Sequence, residues 1–88
     1  MDPQYRVYVI ENDEGRRYIG YSEDIEYRLN QHNLGLSKWT SGKGPWRIVW
    51  KSQELIRNEA FALERKLKKQ GRGSGFYRIT GLNPPDRS

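Results

Sequence analysis

Residues 5–21 read Tyr5-Arg6-Val7-Tyr8-Val9-Ile10-Glu11-Asn12-Asp13-Glu14-Gly15-Arg16-Arg17-Tyr18-Ile19-Gly20-Tyr21, and the fold turns on how this stretch divides. From Tyr5 to Ile10 the side chains are mostly β-branched or aromatic, types that pack well on a half-buried pleated surface, so residues 5–10 read as a strand. Asn12-Asp13-Glu14-Gly15 is turn chemistry: short polar side chains that bond back to the backbone, then a glycine free to take positive φ. Residues 16–21 are then the returning strand of a hairpin. A turn centred near Asp13 sets Tyr8 directly opposite Tyr18, with both rings on one face.

Working outward, Ser22 is a good N-cap, and Glu23 and Asp24 suit the positive end of a helix over 23–33, with Gly35 as its stop signal. At 100° per residue, Ile25, Arg28, Leu29 and His32 share one face, so two polar groups stand on the stripe that should touch the sheet. Residues 34–45, rich in Gly, Ser and Thr, read as a loop carrying Lys38, Trp39 and Lys43. Residues 46–51 alternate loosely and read as a third strand. Asn58 is expected to cap a second helix over 59–69, whose apolar positions Ala60, Leu63 and Leu67 lie within about 60° of one another. Glu64 projects between them, about 40° from Ala60. Gly71-Arg72-Gly73-Ser74-Gly75 reads as a flexible break, Phe76 to Ile79 as a short strand or helix turn, and residues 83–88 as a fraying tail beyond a domain of residues 1–82. The fold class is α+β: a three-stranded, mostly antiparallel sheet flanked by helices.

With 88 residues there is room for one domain, and with no cysteine it is held by packing alone, which suits a reducing cytoplasm. No apolar run approaches the roughly 18 residues of a membrane span, and Met1-Asp2-Pro3-Gln4 lacks the charged and apolar regions of a signal peptide. A net charge of +5 and a pI near 9.7 point to a polyanionic partner, nucleic acid being the commonest. Charge names a partner and no chemistry.

Chemistry enters with Glu64. A carboxylate on an apolar stripe loses hydration at a cost of several kcal/mol unless a cation or donor meets it. A salt bridge to Arg28 is one answer. The other is a metal ion: magnesium keeps most of its waters and often takes only one or two protein carboxylates plus phosphate oxygens. Arg28 and His32, four residues apart, project from adjacent turns, and a guanidinium can stabilise charge building on a phosphate. Zinc is disfavoured, since there is no cysteine and only one histidine. Tyr8 and Tyr18 are by default strand aromatics. Beside an arginine and a metal, however, their phenol pKa, ordinarily near 10, is expected to fall far enough for a tyrosinate base.

Taken together these residues resemble the GIY-YIG nuclease family, and within it the minimal single-domain members. Arg6-Val7-Tyr8 stands for the first family tripeptide and Tyr18-Ile19-Gly20 for the second, with their tyrosines ten residues apart. Arg28 falls eight residues after Gly20, where the family carries an arginine; His32 follows four later, and Glu64 lies in a stretch similar to the family's metal-binding helix. Arg6 departs from the pattern, occupying a glycine position, and no appended recognition domain is expected. The resemblance covers residues 5 to about 70 and implies how the third strand joins the hairpin. It also implies an endonuclease using one Mg²⁺ or Mn²⁺ bound by Glu64. In it Tyr8 acts as base on, or positions, the attacking water; Tyr18 helps place water or phosphate; Arg28 stabilises developing charge; and His32 assists by proton transfer or phosphate contact.

The expected activity is therefore metal-dependent hydrolysis of DNA phosphodiester bonds, with RNA not excluded, DNA repair among its settings, and a partner protein as one source of target specificity. Lys38, Trp39, Lys43, Arg47 and Lys68 are candidates for nucleic-acid contact. The alternative is a catalytically inactive, basic DNA- or RNA-binding module, although such a binder has no need of Glu64 on a core-facing stripe.

Overall fold

The sheet is built outward from β1 (Arg6–Glu11), which pairs antiparallel with β2 (Arg17–Ser22) on one side and with β3 (Arg47–Lys51) on the other. The strand order is β2-β1-β3 in this computed structural model, which describes residues 3–70 and 73–82. The hairpin joining β1 to β2 is as expected, but its register is not. Asn12 is buried, and its side-chain oxygen accepts from the Glu14 and Arg16 backbone amides at 3.1 and 2.9 Å while its backbone N–H donates to the Arg16 carbonyl. Asp13-Glu14-Gly15 thus forms a three-residue loop with Gly15 at φ 81, in the left-handed region. The pairing centre moves from Asp13 to Glu14. Tyr8 therefore faces Gly20, and Tyr18 faces Ile10, so the two tyrosines are diagonal neighbours and not directly opposed. A slip of two residues keeps both rings on the same face.

As the central strand, β1 is covered on both sides, and alternation sorts its side chains. Val7 and Val9 join Ala60, Leu67 and Phe76 in one cluster; Tyr8 and Ile10 join Ile25 and Trp46 in the other. The first cluster belongs to helices α2 (Arg57–Gln70) and α3 (Ser74–Thr80), the second to α1 (Ile25–Asn33). The helices thus cover opposite faces of the sheet. Between Val9 and Ile10 the β3 register slips by one residue, leaving Val49 as a bulge.

Several boundaries differ from expectation for local reasons. Ser22 remains in β2, paired with Arg6, so the cap of α1 falls to Asp24, whose carboxylate accepts from the Tyr27 amide at 3.0 Å. Asn58 does not cap α2 but lies inside its first turn, because the helix already begins at Arg57. Gly35 stops α1 as expected, at φ 77. Phe76 to Ile79 lie within α3, which also takes in Ser74 and Gly75 of the expected break. Gly71, Arg72 and the tail at 83–88 lie outside the described residues. The loop 34–46 is fixed at both ends: Asn33 exchanges two hydrogen bonds with the Trp46 backbone, and the Asn12 amide donates to the Lys43 carbonyl at 3.0 Å.

Candidate active site

At the β2 edge of the sheet, an open cleft of about 380 Å³ is lined by Tyr5, Tyr8, Tyr18, Gly20, Tyr21, Arg28, Arg57 and Glu64. Four of the five residues that the sequence nominated for catalysis thus meet in one cavity, and the fifth, His32, stands directly behind it. Glu64 reaches the cleft although α2 and α1 lie on opposite faces, because α2 runs beside β2: one turn beyond Glu64, the Lys68 ammonium sits 5.8 Å from the centre of the Tyr18 ring.

Tyr8 is held by close packing. A side-chain carbon added to Gly20 would lie 2.5 Å from the Tyr8 hydroxyl and 2.7 Å from its Cζ, so the phenol occupies space that only glycine leaves free. Its hydroxyl lies 2.9 Å from His32 Nε2, and His32 Nδ1 lies 2.7 Å from Thr40 Oγ1. Thr40 Oγ1 also lies 3.5 Å from the Ser37 carbonyl. In the tautomer whose Nδ1–H donates to Thr40, Nε2 is the acceptor for the Tyr8 proton. The imidazole packs against the Tyr18 ring at 4.9 Å between centroids, and His32 is 1% exposed.

This environment sets the protonation states. Burial, then the neighbouring Tyr18, pushes the Tyr8 phenol up to about 12, and Arg28 pulls it the other way without prevailing. The expected lowering therefore does not occur from the protein's own groups, since desolvation outweighs one guanidinium. Burial also pushes the His32 imidazole below its ordinary 6.5, with the Arg28 charge acting in the same direction. His32 is neutral at pH 7 and able to accept a proton.

Glu64 is mostly sheltered, its side chain 13% exposed, and its ion pair is with Lys68 at 3.6 Å and not with Arg28. The Arg28 guanidinium is steadied by Gln31, one turn on, at 2.5 Å. Among the described residues no group of three or more His, Cys, Asp or Glu side chains is placed to hold a metal, and Glu64 is the one carboxylate among the residues lining the cleft. That donor set does not suit structural zinc, which needs a closed shell of protein ligands. It does fit a hard divalent ion completed by water and phosphate oxygens.

The residues nominated for nucleic-acid contact are dispersed. Lys38 lies over the ring of Trp39, which is 69% exposed on the 34–46 loop, and Lys43 is exposed nearby. Arg47 is engaged by Glu11 at 2.7 Å and Asp13 at 3.3 Å, and Lys68 stands at the cleft beside Glu64. Arg6, in the place of the family glycine, points away to the Ser52 carbonyl and Glu54. The sequence reading missed Tyr5, Tyr21 and Arg57 as cleft residues, and Thr40 as the second partner of His32. Arg57 had a usable signal: it precedes Glu64 by seven residues, about 20° away on the helix.

A hairpin and two helices that bring tyrosines, an arginine and a glutamate around one polar cleft define a nuclease-type catalytic domain. The family model of the GIY-YIG catalytic domain matches residues 4–77, and the chain belongs to that family. Its relatives are small proteins that carry a family designation in place of an activity. A UPF0213 protein of Oceanobacillus iheyensis is 32% identical over 77% of this chain and 80% of its own length. One from Streptococcus pneumoniae is 34% identical over 82% and 74% respectively. The solution NMR structure of a UPF0213 protein from Bacillus halodurans is 33% identical, covers 77% of this chain and 73% of its own, and superposes with a TM-score of 0.49.

Proposed function

We propose that the cleft hydrolyses DNA phosphodiester bonds as an endonuclease, with one Mg²⁺ or Mn²⁺ held by Glu64. The observation that carries this reading is the convergence of a sheltered carboxylate, a guanidinium and two phenols on one open cavity, with a neutral imidazole bonded behind it. A structural account must explain each group separately. Glu64 would hold such an ion, which would supply Lewis-acid charge to the scissile phosphate.

The remaining work falls to the chain's own side chains. Arg28, held by Gln31, offers two N–H groups to the non-bridging oxygens, where charge builds in the transition state. Tyr8 is a phenol at neutral pH, and its proton lies along the bond to His32. Its oxygen lone pair orients the attacking water. As the water's proton passes to that oxygen, the phenol proton passes to Nε2, so His32 and not a tyrosinate takes up the charge. The transfer uses the tautomer in which Nδ1–H donates to Thr40. Tyr18, whose ring packs at a tilt against His32, forms the wall that holds water and phosphate in place. Choice of target by a partner protein and a role in DNA repair belong to the same proposal.

The test is plasmid nicking by the purified protein with Mg²⁺ or Mn²⁺. EDTA should stop it, Glu64→Gln and Arg28→Ala should each lower the rate at least about a hundredfold, and Tyr8→Phe should lower it by a comparable factor. Undiminished cleavage by Glu64→Gln would remove the metal assignment. Salt-dependent binding with no cleavage of any DNA form would identify a binding module.

A further inference from the structure

Beside the cleft runs a feature that the hydrolytic chemistry does not use. On α2, Arg57, Phe61 and Arg65 recur at four-residue spacing and so form one ridge. Arg57 lines the cleft itself, and Phe61 is 45% exposed. The Arg65 guanidinium lies 5.6 Å from the Phe61 ring centre, Tyr21 of β2 meets the same ring edge-on at 6.3 Å, and Tyr5 continues the series at 6.0 Å from Tyr21. Single exposed aromatics are ordinary. Here three rings stand in succession, interleaved with cations, and the series opens into the candidate active site.

We propose that the Arg57–Phe61–Arg65 ridge, with Tyr21, is a track for unpaired nucleotides flanking the cleaved bond, so that the substrate is single-stranded or strand-separated DNA rather than intact duplex. An aromatic ring stacks on a base only if the base has a free face, and in a duplex both faces are covered by neighbours. The cations supply the complementary half of recognition, since a strand repeats one phosphate per base, and Arg57 and Arg65 flank the ring at one helical turn on either side. The guanidinium already lying on Phe61 is itself a stacking partner for a base and a fork for a phosphate. Glu23, which accepts from the Tyr5 hydroxyl at 2.8 Å, places a negative charge at the Tyr5 end of the series. The strand's phosphates accordingly follow the arginine side. The track rests on the nuclease reading only for the position of the cleaved bond.

The decisive measurement is equilibrium binding, in EDTA, of labelled single-stranded and blunt duplex DNA of equal length. The wild-type protein should favour the single strand. Phe61→Ala should weaken single-strand binding about fivefold or more and leave duplex binding unchanged, which also reports that the variant is folded. Phe61→Trp should restore it, and Arg57→Gln and Arg65→Gln should each reduce the slope of log K against log salt by about 0.7. Equal affinity for the two DNA forms, or wild-type single-strand binding by Phe61→Ala, would overturn the track. Cleavage is read separately with Mg²⁺. Cleavage that persists beside an inert Phe61→Ala discards the track alone; no cleavage beside the expected Phe61 effect discards the nuclease reading and leaves the track standing.

Discussion

His32 has both ring nitrogens committed, to Tyr8 and to Thr40, inside a pocket that lowers its pKa by burial and by the Arg28 charge. In the unfolded chain the same imidazole titrates near 6.5. Between that value and the lower folded one, the unfolded state binds more protons, so stability rises with pH across the window. This contribution is complete above pH 6.5 and is lost as pH falls from there through the folded value. The wild-type melting temperature should therefore drop more between pH 7 and pH 5 than that of His32→Gln, whose remaining pH dependence comes from carboxylates common to both proteins. Parallel curves for the two would show that His32 carries no linked proton. Thr40 can be tested at the same scale. Thr40→Val strands Nδ1 without a partner in a buried site and should cost about 1–3 kcal/mol in urea denaturation, with most of it recovered in Thr40→Ser.

At the scale of elements, the hairpin is the device that aims Tyr8, and the register that sets Tyr8 against Gly20 matters more than either strand alone. Gly20→Ala would force the phenol off its seat. Overpacking of this kind costs about 1–3 kcal/mol, and the ring would lose its bond to His32, so nicking should fall well beyond what the stability loss explains. Normal activity in a folded Gly20→Ala protein would show that Tyr8 is not held by contact. The elements themselves were legible because the β-branched and aromatic run from Tyr5 to Ile10, the Gly15 and Gly35 signals and the Ala60-Leu63-Leu67 stripe are local. The register was not. It depends on the buried Asn12 side chain bonding to Glu14 and Arg16, which burial decides and sequence spacing does not. Ser22 and Asp24 are both good caps, and the choice between them follows from where β2 lets go of β1. Within the site, Arg28 and Glu64 could be nominated because each is a polar group on an apolar helix stripe, and Tyr8 and Tyr18 through the family resemblance and because the hairpin puts two phenols on one face. Tyr5 and Tyr21 pack with the hydrophobic cluster of the opposite face and enter the cleft only at the sheet edge, a juxtaposition that periodicity on a single strand does not contain.

For the molecule as a whole, the layered arrangement supplies one Glu64 and one Arg28 per chain, at one edge of a three-stranded sheet. On the proposed nuclease reading, a single cleft would engage a single scissile phosphate at a time, because the groups that would meet it converge on one cavity. On the same reading, the net charge of +5 would draw the chain to DNA through counterion release without fixing a sequence, so successive encounters would fall at unrelated positions. Cleavage of both strands then needs either two independent encounters or two chains acting together. The first case predicts that supercoiled plasmid, whose torsional stress opens strand-separated stretches, passes almost entirely into nicked circles before any linear form appears, at an initial rate proportional to protein concentration. It also predicts that raising the salt slows the nicking step steeply, in keeping with phosphate contacts that displace counterions. Linear DNA accumulating from the outset, with a rate that rises as the square of protein concentration, would show instead that paired chains present two clefts to the two strands.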